Sequence, residues 1–271
     1  MRRLSPLHGR RLAAVTAAGA LAFAALTATA APASAAVPLP PLAGKFDYQI
    51  GGAYTPPSGV QIVSRDMSAS PAAGLYNICY LNAFQAQEGQ DGDWQSDLLL
   101  RDSSGKKVVD PDWHETLLDL RTADKRSRVA AKVKTWIDTC AAKGYQAVEP
   151  DNYDSFSRSK NLITTTHAQE YIKLLSAYSH SKNLAIAQKN TPELAGNRTA
   201  NGLDFAVTEE CGEYEECGDY AGPFGNRVVN VEYTASGMSK GCPEWKTKIS
   251  MVRRDVMVVP AGSSGYLRKT C

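Results

Sequence analysis

The strongest constraint in this 271-residue chain is a rhythm: from Phe46 onward, short apolar runs alternate with longer segments of helical spacing. That alternation marks repeated β-α units around a parallel sheet. The strand candidates are residues 46–51, 61–64, 74–81, 147–150, 184–188, 205–208, 228–231 and 255–260, eight in all. Several are almost continuously apolar, as expected of parallel strands covered on both faces. Eight units in a chain of this length predict an α/β fold, a (β/α)8 TIM-type barrel forming a single domain. The clearest helix spans 124–143, where Val129, Val133, Trp136, Ile137 and Cys140 share a face and Gly144 ends the pattern. A second spans 166–182, with Ala168, Tyr171, Ile172, Leu175 and Tyr178 on one side and Asn183 placed to stop it.

Residues 1–35 stand apart from this rhythm. Arg2, Arg3, Arg10 and Arg11 precede an uncharged stretch rich in Ala and Thr, which runs into Ala33-Ser34-Ala35. This is the three-part layout of a cleaved export signal, and it is too weakly apolar for a lasting membrane anchor. The export route stays open, because the residues after Arg10-Arg11 match a twin-arginine signal poorly. Residues 36–44 read as an extended Pro-rich lead-in and 45–271 as the barrel domain, so the expected protein is secreted, extracellular and without stable membrane association. Four arginines and no acid leave with the signal, so 26 Lys and Arg face 28 Asp and Glu and the net charge moves from +2 to −2. Nucleic acid is therefore not an expected partner. All six Cys lie after the signal, an even number in an oxidising compartment, which favours disulfides over metal ligation. Proximity in the chain suggests Cys211 with Cys217 and Cys242 with Cys271, leaving Cys79 for Cys140.

In a parallel barrel the loops after the strands share one rim, so polar residues just past successive strands converge. That rim is dominated by carboxylates: Glu149, Asp151 and Asp154 at the end of the fourth strand, Glu209 and Glu210 after the sixth, and Glu232 at the seventh, with Lys189 after the fifth. Paired carboxylates suit glycosidic bond cleavage, in which one acid protonates the leaving oxygen and the other attacks or stabilises the sugar cation. No H-E-x-x-H, G-x-S-x-G or Gly-rich phosphate loop competes with that reading. Neither a metal nor an organic cofactor is called for. His114, His167 and His180 stand in or beside helices and read as solvated surface.

Several of these segments resemble glycoside hydrolase family 114, the endo-α-1,4-polygalactosaminidases. Phe46-Asp47-Tyr48-Gln49 is similar to that family's first strand, Ile78-Cys79-Tyr80-Leu81-Asn82-Ala83 to its third, and Trp113 to Leu120 to its W-L-D-I-like segment. Glu149-Pro150-Asp151-Asn152-Tyr153-Asp154 is similar to E-P-D-N-x-D, the most specific of the four. The resemblance implies a secreted barrel enzyme cutting an α-1,4-linked galactosamine polymer, with Asp151 as nucleophile and Glu209 as general acid/base. The chain departs from the family after the third strand, where Phe84-Gln85 and Trp94-Gln95-Ser96-Asp97 replace Gly-Ser and Arg-Pro-Asp. A neutral α-galactoside hydrolase and a non-catalytic carbohydrate-binding barrel are the alternatives.

Tyr80, Asn152, Asp154, Lys189, Glu210, Glu232 and Tyr233 complete the expected substrate-binding set. Each has a plainer role beside it. Asp151 or Asp154 could cap a helix, Glu149 could form a structural ion pair, and Glu232 could pair with Lys189. Tyr153, Tyr214 and Trp94 are further aromatic faces on which a pyranose ring could stack. The run from Glu209 to Asp219 carries six acids and no base, a rim that would attract a cationic polymer.

Overall fold

The computed structural model describes residues 36–271, and the expected export signal lies outside the described residues. Eight parallel strands follow one another around the sheet: β1 (Phe46–Gln49), β2 (Ile62–Asp66), β3 (Tyr76–Asn82), β4 (Ala147–Asp151), β5 (Ala185–Lys189), β6 (Phe205–Glu209), β7 (Val228–Glu232) and β8 (Ser250–Arg254). Each pairs with its predecessor in parallel register, and β8 lies alongside β1, closing the (β/α)8 barrel. A short ninth strand, Arg268–Lys269, adds antiparallel to β8.

Strand alternation divides the buried side chains into two cores. Phe46, Ile62, Ile78, Ala147, Phe205, Val229 and Val252 fill the barrel interior. Cys79, Leu81, Val148, Ile186 and Ala206 point outward into the layer covered by the helices. On that side lie α1 (Ala123–Lys143), α2 (Thr165–Ser181) and α3 (Ala235–Trp245). Val129, Val133, Ile137 and Cys140 of α1 are buried as their spacing predicts, each large aliphatic contributing roughly 1.5–3 kcal/mol. Thr122 caps the start of α1 by accepting from Lys125 N, and Gly144 ends it at φ 87°, a conformation that only glycine adopts cheaply. None of the helices described is long and apolar enough to cross a membrane.

The three disulfides pair Cys79 with Cys140, Cys211 with Cys217 and Cys242 with Cys271, as chain proximity suggested. The first joins β3 to α1 across 61 residues, a closure worth about 4 kcal/mol in chain entropy. The Pro-rich lead-in is held on the barrel wall, its Pro38 and Pro40 carbonyls accepting from Tyr76 and Arg227.

The eighth strand is Ser250–Arg254, not 255–260. Residues Arg253 and Arg254 disguise it, yet Arg254 is fully buried and donates to the carbonyls of Leu267 and Val259. Asp255 instead opens a turn, its carboxylate accepting from the amides of Val259 and Leu267. The helix-associated histidines also differ from solvated surface. His167 completes the capping box at the start of α2, and the His180 ring contacts Asp204 at 2.8 Å, which raises its pKa.

Candidate active site

At the C-terminal ends of the strands the barrel interior turns polar. Tyr48, Ser64, Glu149 and Lys189 are joined by hydrogen bonds, and Asp151, two residues beyond Glu149 on β4, keeps the same inward face and meets Tyr80, while Glu209 meets Tyr233. Lys189 is 1% exposed at its side chain, and its Nζ lies 3.0 Å from Glu149 Oε1, 3.3 Å from Asp151 Oδ1 and 3.5 Å from Glu209 Oε2. Burial opposes its charge, but Asp151, Glu209, Tyr48 and Glu149 together push its pKa well above the ordinary lysine value. Lys189 is thus a buried cationic floor beneath the carboxylates rather than an exposed substrate contact.

Glu149 is fully buried and accepts from Tyr48 Oη (2.8 Å), Ser64 Oγ (2.6 Å) and Lys189, the structural pairing weighed for it from sequence. Burial raises its pKa, with Lys189 opposing. Both oxygens of Asp151 are engaged: Oδ2 accepts from Tyr80 Oη at 2.5 Å, and Oδ1 accepts from the Asn152 amide at 2.8 Å and faces Lys189. Glu209 accepts from Tyr233 Oη at 2.5 Å and from Asn190 Nδ2 at 3.0 Å. Burial raises the Tyr80 and Tyr233 phenols well above 10, so both remain donors at any physiological pH.

A common backbone device presents this set. The residues directly after Asp151, Lys189 and Glu209 are Asn152, Asn190 and Glu210, and all three adopt left-handed φ values of 65°, 50° and 59°. The chain therefore turns sharply as it leaves β4, β5 and β6, and the last side chain of each strand stays at the mouth. Asn accepts this conformation readily, whereas Glu210 is held there at a cost of about 1–2 kcal/mol.

The remaining expected residues divide. Asn152 Nδ2 donates to Asn82 Oδ1 at 2.9 Å, placing it beside Asp151. Asp154 is clamped through both oxygens by Arg158, which also pairs with buried Asp110 at 2.6 Å, so its charge is already matched. Glu210 lies half exposed, with burial and its neighbours Glu232, Glu209 and Glu213 raising its pKa. Glu232 neither reaches Lys189 nor lines the mouth. It points outward from β7 into the helix layer, where Oε1 accepts from the Gly212 amide and from Asn230 Nδ2, both at 2.7 Å. Its carboxylate fills the space that a Cβ on Gly237 of α3 would occupy. Gly237→Ala is accordingly expected to destabilise the fold by about 1–3 kcal/mol in urea denaturation, with the overall structure retained. Trp94 is buried edge-on against Trp136, and Tyr153 packs on Phe84, so neither offers a free face; Tyr214 is exposed. In the acidic run, Glu213 is neutralised by Lys240 at 2.8 Å.

One carboxyl at the rim escaped the strand-end reasoning because it comes from the long β3–α1 connection. Gln85–Ala86 pairs antiparallel with Thr116–Leu117, which brings Glu115 beside the end of β3. Glu115 Oε2 accepts from Asn82 Nδ2 at 2.8 Å, and Asn82 sits in register with Asp151. Burial pushes its pKa up to about 7, opposed by the Asn82 bond and reinforced by Asp151 and Asp110. The signal available in the sequence was an acid within the Trp113 to Leu120 segment, two residues after Trp113.

A closed (β/α)8 barrel with a carboxyl-rich C-terminal rim and no nucleophile elbow is the architecture of a barrel glycosidase. The chain belongs to glycoside-hydrolase family GH114, whose family model matches residues 26–271, and it is a glycoside hydrolase. Among solved structures it is similar to Aspergillus fumigatus Ega3 in complex with galactosamine, at 21% identity and a TM-score of 0.67, covering 90% of this chain and 99% of that one. It is also similar to the glycoside hydrolase domain of PelA from Pseudomonas aeruginosa, at 15% identity and a TM-score of 0.50, covering 81% of this chain and 97% of that one. No curated protein sequence matches it.

Proposed function

We propose that this protein is a secreted, endo-acting hydrolase of α-1,4-linked galactosamine-containing polysaccharide, with Asp151 as nucleophile and Glu209 as general acid/base. The observation that carries the reading is the sharing of one buried ammonium by these two carboxylates. Each has an oxygen within 3.5 Å of Lys189 Nζ, so the two oxygens are at most about 7 Å apart, twice the longer of those contacts. That bound admits the separation near 5–5.5 Å that a nucleophilic Asp151 and a retaining mechanism require. Tyr80, the Asn152 amide and Lys189 hold Asp151 in one orientation for attack at the anomeric carbon. Glu209 gives its proton to the leaving oxygen and then takes one from the water that releases the sugar from Asp151. Tyr233 and Asn190 keep Glu209 aimed across the mouth throughout.

The galactosamine bound to the similar Ega3 barrel supports an amino-sugar substrate. The export-type N-terminus and three disulfides support extracellular action. The test is product release from partially deacetylated α-1,4-galactosaminogalactan beside a neutral galactan. Oligosaccharides are expected from the amino polymer only, in amounts that fall with added salt, because screening weakens attraction between the acidic rim and a cationic chain. Cleavage of the neutral polymer alone overturns the substrate while keeping the reaction class.

A further inference from the structure

Around the mouth, most acids already have a cation. Lys189 serves Glu149, Asp151 and Glu209; Arg158 serves Asp110 and Asp154; Lys240 serves Glu213. Glu115 has no ion pair among the described residues. One oxygen, Oε2, is fixed by the amides of Asn82 (2.8 Å) and Asn152 (3.5 Å), while no hydrogen bond among the described residues engages Oε1. The group is half buried, and the same two asparagines that hold it flank Asp151 in register and in sequence. A half-buried carboxylate without a counter-ion is expensive to keep ionised. Its fixed geometry beside the reacting centre makes it a receptor for an incoming positive charge. Two residues earlier on the same loop Trp113 is 51% exposed, an apolar plane of the kind that sugar C–H faces pack against.

Resting on the amino-sugar reading above, we propose that Glu115 is the specificity-determining residue of this site, its carboxylate receiving the ammonium group of a galactosamine unit in the bound chain. An N-acetylated unit offers a neutral amide at that position and gains nothing from the charge. Asn82 and Asn152 act as positioning residues that hold the carboxylate towards the unit next to Asp151. The charged groups facing Glu115 are Asp151 at the end of β4, Asp110 on its own loop and Arg158 on the turn after Asp154. With its pKa near 7, Glu115 loses its charge as pH falls through that value, so affinity for the deacetylated chain weakens below about pH 7 while affinity for the acetylated chain does not.

Calorimetric binding of a fully deacetylated and a fully N-acetylated galactosamine tetrasaccharide to Asp151→Asn, with and without Glu115→Gln, tests this apart from turnover. Gln keeps the acceptor for Asn82 and removes only the charge. The expected result is a roughly tenfold to hundredfold loss of affinity for the deacetylated ligand, none for the acetylated one, and disappearance of the pH dependence that Glu115 confers. Equal losses on both ligands, or no loss on either, overturn the proposal. Wild-type kinetics separate it from the substrate reading: failure to cleave an amino polymer defeats that reading, while a charge-selective binding difference still upholds the role of Glu115.

Discussion

Asp151→Asn is expected to abolish measurable cleavage, lowering kcat by roughly 10⁴-fold or more whatever the leaving group, because the covalent step itself is lost. Glu209→Gln is expected to behave differently. Its loss, about 10²–10⁴-fold on the polymer, shrinks sharply on an aryl glycoside whose leaving group needs no proton. Measuring both variants on both substrates distinguishes nucleophile from acid, and a Glu209→Gln enzyme equally impaired on the aryl glycoside removes the acid role. Thermal melts accompany the kinetics, since each side chain also faces Lys189.

The second large effect concerns that lysine. Lys189→Met removes the cation that Glu149, Asp151 and Glu209 share among the described residues while filling its volume, leaving buried negative charge uncompensated. Breaking a buried pair from one side costs about 3–5 kcal/mol, and activity is expected to vanish with the orientation of Asp151. The sign of the pH dependence follows from the two directions. In the wild type the folded Lys189 pKa is raised, so its stabilisation is complete below the ordinary lysine value and is lost only as pH climbs through the raised one. In the variant, Glu149 is already raised by burial and loses the opposing lysine, so folding favours its protonated form. Urea midpoints of the two proteins should therefore differ most where Glu149 is ionised in the unfolded chain and converge as pH falls into the ordinary carboxylate range; a gap independent of pH would assign the loss to packing instead.

Much of the barrel was legible because local chemistry carries it. Seven of the eight strands were foreseen in place, since apolar runs bounded by turns need no distant information. The eighth differs because Arg253 and Arg254 look like loop residues, and a buried Arg254 is made tolerable by the distant carbonyls of Leu267 and Val259, the carboxylate of Asp255 and the rings of Tyr54 and Tyr266. The sequence places Glu232 at the mouth for a similar reason. β7 is apolar or buried on both faces, so its sequence carries no parity signal, and the register with β6 turns Val231 inward and Glu232 outward. Trp94 and Tyr153 look like sugar platforms in a sequence but are consumed by packing against Trp136 and Phe84.

What the sequence determined by itself was the repeat of strand and helix and the positions of Asp151, Lys189 and Glu209 at successive strand ends, and chain proximity suggested the cysteine pairing that the structure shows. Periodicity and chain proximity are local quantities. Only the tertiary structure decided which acids share a cation. It buries Lys189 under three carboxylates, gives Arg158 to Asp154 and Asp110, and leaves Glu115 without an ion pair beside Asp151. Those pairings depend on which side chains the closed barrel and the β3–α1 hairpin bring within a few ångströms, and the charge of a group is settled by burial and neighbours, neither of which is a property of its place in the chain.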